Sequence, residues 1–279
     1  MTPATIGIDV GGTKIAAALI AGGEVLARTT VPTGASRPGR EVLADAVAAA
    51  EKVGSGHAIA GVGVGVPEIV DPGGRILTDA VIGWAGEAVE EAFAHLGPVT
   101  VVADVLAAAL AEARLGAGRG YASFAYVTVG TGISHTLVLD GHPYAGARGA
   151  AVLLGSGRLG GVVLEDVASG PAIARAGGVA SAEEVLAAAE AGDARAVRVV
   201  DLAASMLGEG IATLVNLLDP EAVVVGGGLG TAGGRYWDVA VAAARSRVWL
   251  PAARDLPILP AGLGADAGVA GAALAALRG

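Results

Sequence analysis

The chain has 279 residues, of which 46 are Gly, 53% are hydrophobic, 16% are charged and 3% are aromatic. Disordered chains are apolar-poor and charge-rich, so this composition excludes a largely disordered protein and predicts about two compact domains with an aliphatic core. A formal charge of −9 with 18 scattered Lys and Arg argues against a nucleic-acid partner, and the lack of Cys removes disulfides, thiolate zinc sites and Cys nucleophiles.

Mean hydropathy is +0.64. The apolar runs are nevertheless short and broken by Gly and charge, below the roughly 18–20 residues of a membrane-spanning helix. No basic n-region precedes the first strand pattern, so the expectation is a cytoplasmic protein with no membrane partner.

Residues 5–10, 14–20 and 24–31 read as three short β segments joined by Gly-containing turns. A helix is predicted over 40–53 and a buried strand over 59–66, IAGVGVGV. Residues 85–96 read as a helix, 98–103 as a strand, and 104–115 as a helix that Asp104 could cap. Further strands are predicted at 121–129, 133–139 and 222–226. Ser181 with Glu184 makes a capping box for the helix that follows, and long helical patterns cover 195–217 and 266–277. The mixture argues an α/β class.

A faint internal repeat is visible. Ile6-Gly-Ile-Asp-Val-Gly-Gly-Thr-Lys-Ile15 and its apolar run to Gly22 resemble Tyr126-Val-Thr-Val-Gly-Thr-Gly-Ile133 and its run to Gly141. Gly11 and Gly130 are 119 residues apart, as are Gly22 and Gly141, so a strand–turn–strand unit is expected twice, once per domain. A Gly turn alone is explained by a tight hairpin that needs positive φ. Beside Asp9, Thr13 and Lys14 it says more, because small residues let backbone N–H groups approach phosphate oxygens. Asp9 could hold a hydrated Mg²⁺, which keeps most of its waters and takes few carboxylates. Thr13 and Lys14 would add donors to a terminal phosphate.

These residues resemble the ROK family of sugar kinases and sugar-responsive repressors, in the actin-like/hexokinase superfamily. Asp9-Val-Gly-Gly-Thr-Lys14, with Gly11 and Gly12, is similar to the family's first phosphate motif, and Gly130-Thr131-Gly132-Ile133 to the second. Ala222-Val-Val-Val-Gly226-Gly227-Gly228-Leu229 after Leu218-Asp-Pro220 is similar to the adenosine-binding segment. Gly63-Val-Gly-Val-Pro67 with Ile82-Gly-Trp84 resembles a GVPG…PGW stretch. Leu164-Glu165…Ala168-Ser-Gly-Pro-Ala172 and Asp266-Ala-Gly268 match segments in the C-terminal half.

The resemblance implies two actin-like (ribonuclease H-like) domains flanking a cleft that binds ATP and Mg²⁺. Residues 1–115 would form the first, with 266–279 packing back on it, and 116–265 the second. Asp104 stands where the family carries its catalytic aspartate, a base for the attacking hydroxyl. Members often form homodimers, an assembly no residue pattern here fixes. The family's repressors carry an added N-terminal helix-turn-helix domain, and a phosphate motif starting at residue 9 leaves no room for one.

Departures concentrate in the sugar pocket. The family's Glu-Asn-Asp-Ala-Asn stretch reads Val102-Ala103-Asp104-Val105-Leu106, so a sugar-contacting Asn has become Ala103. The Gly-Glu-x-Gly-His segment aligns with Val152-Leu153-Leu154-Gly155-Ser156, replacing Glu by Leu153 and His by Ser156. Of the sugar-binding polar set, Glu165 stands. The Cys-rich zinc loop is absent, only 157–163 separating Ser156 from Leu164, and no zinc site is expected. His135, in Ser134-His135-Thr136, reads either as an outward strand residue or as a new polar contact. A sugar hydroxyl held unpartnered against Leu153 costs about 1–3 kcal/mol. The expectation is an ATP-dependent kinase whose acceptor is an amino sugar, a C7-cyclitol or another non-glucose polyol. The alternatives are a glucokinase with a pocket rebuilt from residues such as His135, Asp79 or Arg148, and a non-catalytic nucleotide- or sugar-binding protein.

Overall fold

The computed structural model describes residues 4–278 apart from Ala35 and Ala85. The chain forms two compact units, one from residues 1–115, 143–151 and 265–279, the other from 116–142 and 152–264.

In chain order the first unit holds β1 (Ala4–Val10), β2 (Lys14–Ala21), β3 (Glu24–Pro32), α1 (Gly39–Gly54), β4 (Ile59–Val66), α2 (Val89–Phe93), β5 (Val99–Ala103) and α3 (Asp104–Arg114). There follow β6 (Ser123–Val129), β7 (Ile133–Leu139), β8 (His142–Pro143), β9 (Arg158–Leu159), β10 (Val162–Val163) and α4 (Glu165–Ala168). The second unit continues with α5 (Gly170–Gly177), α6 (Ala182–Glu190), α7 (Ala194–Leu218), β11 (Ala222–Gly226), α8 (Gly227–Gly230), α9 (Gly234–Arg247) and β12 (Ile258–Pro260). Last, α10 (Ala267–Ala275) belongs to the first unit.

The first sheet has the order β3-β2-β1-β4-β5 and the second β12-β11-β6-β7-β8, the same order read from the other edge. In both, a hairpin precedes a parallel crossover: β1 pairs antiparallel with β2 and parallel with β4, and β6 pairs antiparallel with β7 and parallel with β11. The strands keep the spacing of the sequence repeat, β1 and β6 starting at 4 and 123, β2 and β7 at 14 and 133. Such a duplicated open sheet, flanked by helices, is an α/β architecture.

The two cores are built differently. In the first unit, glycines bring backbones together. A Cβ on Gly7 of β1 would overlap the Val269 carbonyl of α10, and one on Gly63 of β4 the Ala272 carbonyl. A Cβ on Gly271 of α10 would overlap the Ala107 carbonyl of α3. In the second unit, α7 supplies Val200, Leu207, Ile211, Leu214 and Val215 to a core shared with Val127, Val129, Val223 and Val225. At 25 residues α7 is long and apolar enough to cross a membrane by composition, but its apolar side makes the centre of this core.

The helix read over 85–96 is only Val89–Phe93 plus a 3₁₀ turn at Ala94–Leu96, because Gly86 takes φ +81°, outside right-handed helix, and residue 85 lies outside the described residues. Ser181 does cap α6, accepting from Glu184 N–H at 3.4 Å; its own hydroxyl, rather than its backbone N–H, meets Glu184 Oε1. Helices α4, α5, α8 and α9 and the short strands β8, β9, β10 and β12 have no counterpart among the elements read from the sequence. The two- and three-residue strands are too short to show a period.

Candidate active site

In the first unit, Asp9 sits at the end of β1, opposite Ala16 on β2 and Gly65 on β4. Its carboxylate is wrapped by glycine. A Cβ on Gly268, at the start of α10, would overlap it, and one on Gly65 would lie 3.8 Å from Oδ1. No hydrogen bond to this carboxylate is found among the described residues. Burial pushes its pKa up, and the Lys14 charge opposes that.

The turn that follows does not need glycine for its torsions. Neither Gly11 nor Gly12 has positive φ, whereas Gly22 and Gly23 in the β2–β3 turn take +61° and +86°. The hairpin explanation therefore holds for residues 22–23 and fails for 11–12. Gly11 N–H donates to the Lys14 carbonyl at 2.9 Å. Thr33, fully buried, pins the turn twice: its hydroxyl donates to the Gly11 carbonyl at 2.6 Å and its N–H to that of Thr13 at 3.0 Å. Thr13 and Lys14 are exposed. Nothing in the local sequence points to Thr33, which follows directly on the last residue of β3.

Asp104 is the first residue of α3. The cap position belongs to Ala103, so Asp104 is not the N-cap; its Oδ1 instead accepts the N–H of Val105 at 2.6 Å. Burial, then the charges of Asp9 and Glu68, push its pKa up to about 7 against the Val105 hydrogen bond. A carboxylate titrating there can accept a proton near neutrality. Ala103 is buried and lines a cavity of about 320 Å³ with Val70, Gly74, Val101, Leu106 and Ala145.

Glu68 was missed. It is 4% exposed and its carboxylate accepts from Thr78, Ala80, Val81 and Ile82. The signal was available: the GVPG pattern ends in Gly, and this chain has Glu68 after Pro67.

In the second unit, Gly130, Thr131 and Gly132 form the β6–β7 turn, with Gly130 N–H donating to the Gly132 carbonyl at 2.9 Å, again without positive φ. Glu165 braces this turn: its Oε2 accepts the N–H of Ile133 at 2.7 Å, and a Cβ on Gly132 would come within 3.0 Å of it. Gly226, Gly227 and Gly228 lead from β11 into α8, each for its own reason. A Cβ on Gly226 would overlap the Tyr126 hydroxyl, and Gly227 has φ +81° against the Val129 carbonyl. A Cβ on Gly228 would meet nothing, so of the three only Gly228 has no packing cause for its missing side chain.

Leu153 is 42% exposed and Ser156 is exposed, on the segment that Gly155 ties to the Ile133 carbonyl and to Glu165 N–H. His135 is not an outward residue. Its Nδ1 is buried with no hydrogen-bond partner among the described residues, and burial lowers its pKa, keeping the ring neutral at pH 7. Residues 158–163 form a β9–β10 hairpin closed by Gly160 and Gly161, both with positive φ. Among the described residues no group of three or more His, Cys, Asp or Glu could hold a metal.

Two sheets of one strand order, each with a glycine turn in its first hairpin and the first with Asp9 beside that turn, define the actin-like ATPase fold as sugar kinases use it. The chain belongs to the ROK family, whose model matches residues 5–278. It is 33% identical to a glucokinase of Halalkalibacterium halodurans, over 82% of this chain and 81% of that one. It is 32% identical to an N-acetylmannosamine kinase of Escherichia coli strain 55989, over 98% of both. Among solved structures, a ROK family glucokinase from Streptomyces griseus, in complex with glucose and AMPPNP, superposes with a TM-score of 0.85 at 29% identity, covering 99% of this chain and 100% of that one.

Proposed function

We propose that the protein is an ATP-dependent kinase that phosphorylates a hydroxyl of a sugar or sugar-like acceptor other than plain glucose: an amino sugar, a C7-cyclitol or another polyol. The observation that carries this reading is an asymmetry. The acids of the first unit are kept and tuned, Asp104 to about 7, while Leu153 and Ser156 offer no charged group to a hexose hydroxyl.

Asp104 takes the proton of the acceptor hydroxyl as its oxygen bonds to the γ-phosphorus and the bond to ADP breaks. Gly11, Gly12, Thr13 and Lys14 give donors to the phosphates, as do Gly130, Thr131 and Gly132. Gly226, Gly227 and Gly228 let the nucleotide lie against bare backbone. Asp9 fits a hydrated Mg²⁺, being a glycine-cradled carboxylate with no donor of its own, and that ion would neutralise phosphate charge. Glu165 holds the acceptor through Oε1, since Oε2 is engaged by Ile133. Ala103, Leu153, Ser156 and His135 shape the rest of the acceptor site. The cavity beside Ala103 gives room for a substituent that glucose lacks, and the N-acetylmannosamine kinase relative supports an acylated amino sugar among the candidates.

ADP release measured against hexoses, amino sugars and cyclitols tests this. Turnover with an amino sugar or cyclitol is expected; ATP binding with no turnover on any of them would sink the reading. The glucokinase relative favours a second reading, a glucose kinase with a rebuilt pocket, which efficient turnover of glucose in the same assay would support.

A further inference from the structure

We propose that Glu68 is a positioning residue for phosphoryl transfer, acting through Val81 on the first glycine turn; this rests on the kinase reading. Its carboxylate gathers one short stretch of chain. Oε2 accepts from the Thr78 hydroxyl at 2.7 Å and Ala80 N–H at 2.9 Å, and Oε1 from Val81 N–H at 2.8 Å and Ile82 N–H at 2.9 Å. Thr78 Oγ1 in turn accepts the N–H of Ile69, closing the loop on the residue next to Glu68. Four donors on two oxygens fill a carboxylate's acceptor capacity of about four sites, and only an ionised Asp or Glu offers that many acceptors without a donor.

What the clamp holds is Val81. The residue is 41% exposed, and its Cγ1 would lie 3.1 Å from a Cβ on Gly12. An exposed β-branched side chain thus lies against the turn assigned to the phosphates. The far end of the segment is rooted: Ile82 and Trp84 are buried, and Gly83 abuts Gly39 at the start of α1. That root and the Glu68 clamp anchor the backbone on both sides of Val81 and set its side chain beside Gly12. The Gly12 backbone is therefore held from one side by Thr33 through its neighbours and from the other by Val81. Misplacing donors to a transferring phosphoryl group by a fraction of an ångström lowers the chemical step more than ground-state binding.

The test is a double-mutant cycle of Glu68→Gln and Val81→Gly, read by kcat, by KM for ATP and acceptor, and by amide hydrogen exchange at residues 11–14. Gln leaves an N–H₂ facing donors, so the clamp opens. Expected for Glu68→Gln is a loss in kcat of about 10- to 100-fold with acceptor KM within about twofold, and faster exchange at residues 11–14. Val81→Gly should give a similar loss, and the double variant should be no worse than Glu68→Gln alone, because Val81 is already released. Additive losses, or a Glu68→Gln protein that is merely less stable with normal kcat per folded molecule, overturn the proposal. Should Glu68→Gln not fold, unchanged kcat and unchanged exchange in Val81→Gly overturn it equally. Absence of turnover in the wild type is a failure of the kinase reading instead, and the exchange measurement then still decides the role of Glu68.

Discussion

The two units share a strand order and differ in how their helices reach the sheet. In the first, α10 lies on β1 and β4 backbone to backbone through Gly7 and Gly63, and on α3 through Gly271. In the second, α7 meets the sheet through Val, Leu and Ile side chains and comes backbone to backbone with α9, where a Cβ on Gly208 would overlap the Ala240 carbonyl. The difference follows the acids. The two elements drawn together by glycine carry Gly268, which cradles Asp9, and Asp104, one turn from the Ala107 carbonyl that Gly271 touches. Close packing of helix on strand thus sets the place of the two carboxylates, while in the second unit the glycine approaches lie between α7 and α9, at Gly208, and at the turns themselves, at Gly155, Gly226 and Gly227.

Several variants can break or sharpen that contrast. The largest effect belongs to Asp104→Asn, which keeps the acceptor oxygen for Val105 N–H but removes the proposed base. Its kcat should fall by about 10²- to 10⁴-fold with nucleotide affinity retained, as measured by steady-state kinetics and calorimetry. Next come Gly63→Ala and Gly271→Ala, whose methyl groups meet backbone carbonyls. Each should cost about 1–3 kcal/mol or more in chemical denaturation and lower activity in the protein that does fold. Gly228→Ala, which meets open space, should change stability by less than about 0.5 kcal/mol and weaken ATP binding instead. Equal losses of stability at Gly63 and Gly228 would erase the distinction between packing and phosphate glycines.

A smaller, opposite effect is expected on the acceptor side. Leu153→Glu with Ser156→His should raise kcat/KM for glucose by about 10- to 100-fold, since each of the two hydrogen bonds gained contributes a net of about 0.5–1.5 kcal/mol. The smallest effect is on stability and pH. The Asp104 pKa is raised in the folded state, so the folded protein binds this proton more readily than the unfolded chain does. Stability from this group is therefore lost as pH rises from the ordinary Asp range through about 7. Asp104→Asn should melt higher than wild type at pH 8 by roughly 2–8 °C, with the gap closing toward pH 4.

Much of this was legible in the sequence, for identifiable reasons. The first hairpin, the 119-residue repeat and the second turn rest on short-range period and turn chemistry, while the two actin-like domains were implied by the resemblance to the ROK family. The motif containing Asp266-Ala-Gly268 was visible, but its purpose was not, because it depends on a contact between Gly268 and Asp9 that spans almost the whole chain. Thr33 and Glu68 escaped for the same reason: each acts on a turn or loop 10 or more residues away, through hydrogen bonds that no local pattern encodes. The excess of Gly pointed first to phosphate turns. At Gly7, Gly63 and Gly271 it instead reflects helices pressed onto strands and onto each other, where even a methyl group does not fit.

The direct test is the ratio of kcat/KM values for the best amino sugar or cyclitol and for glucose, measured with the wild-type protein and ATP. A retained phosphoryl-transfer apparatus with an altered acceptor site predicts a ratio of about 100 or more in favour of the non-glucose acceptor. A glucose kcat/KM on the order of 10⁴ M⁻¹s⁻¹ or above, equal to or better than every other acceptor, would contradict it.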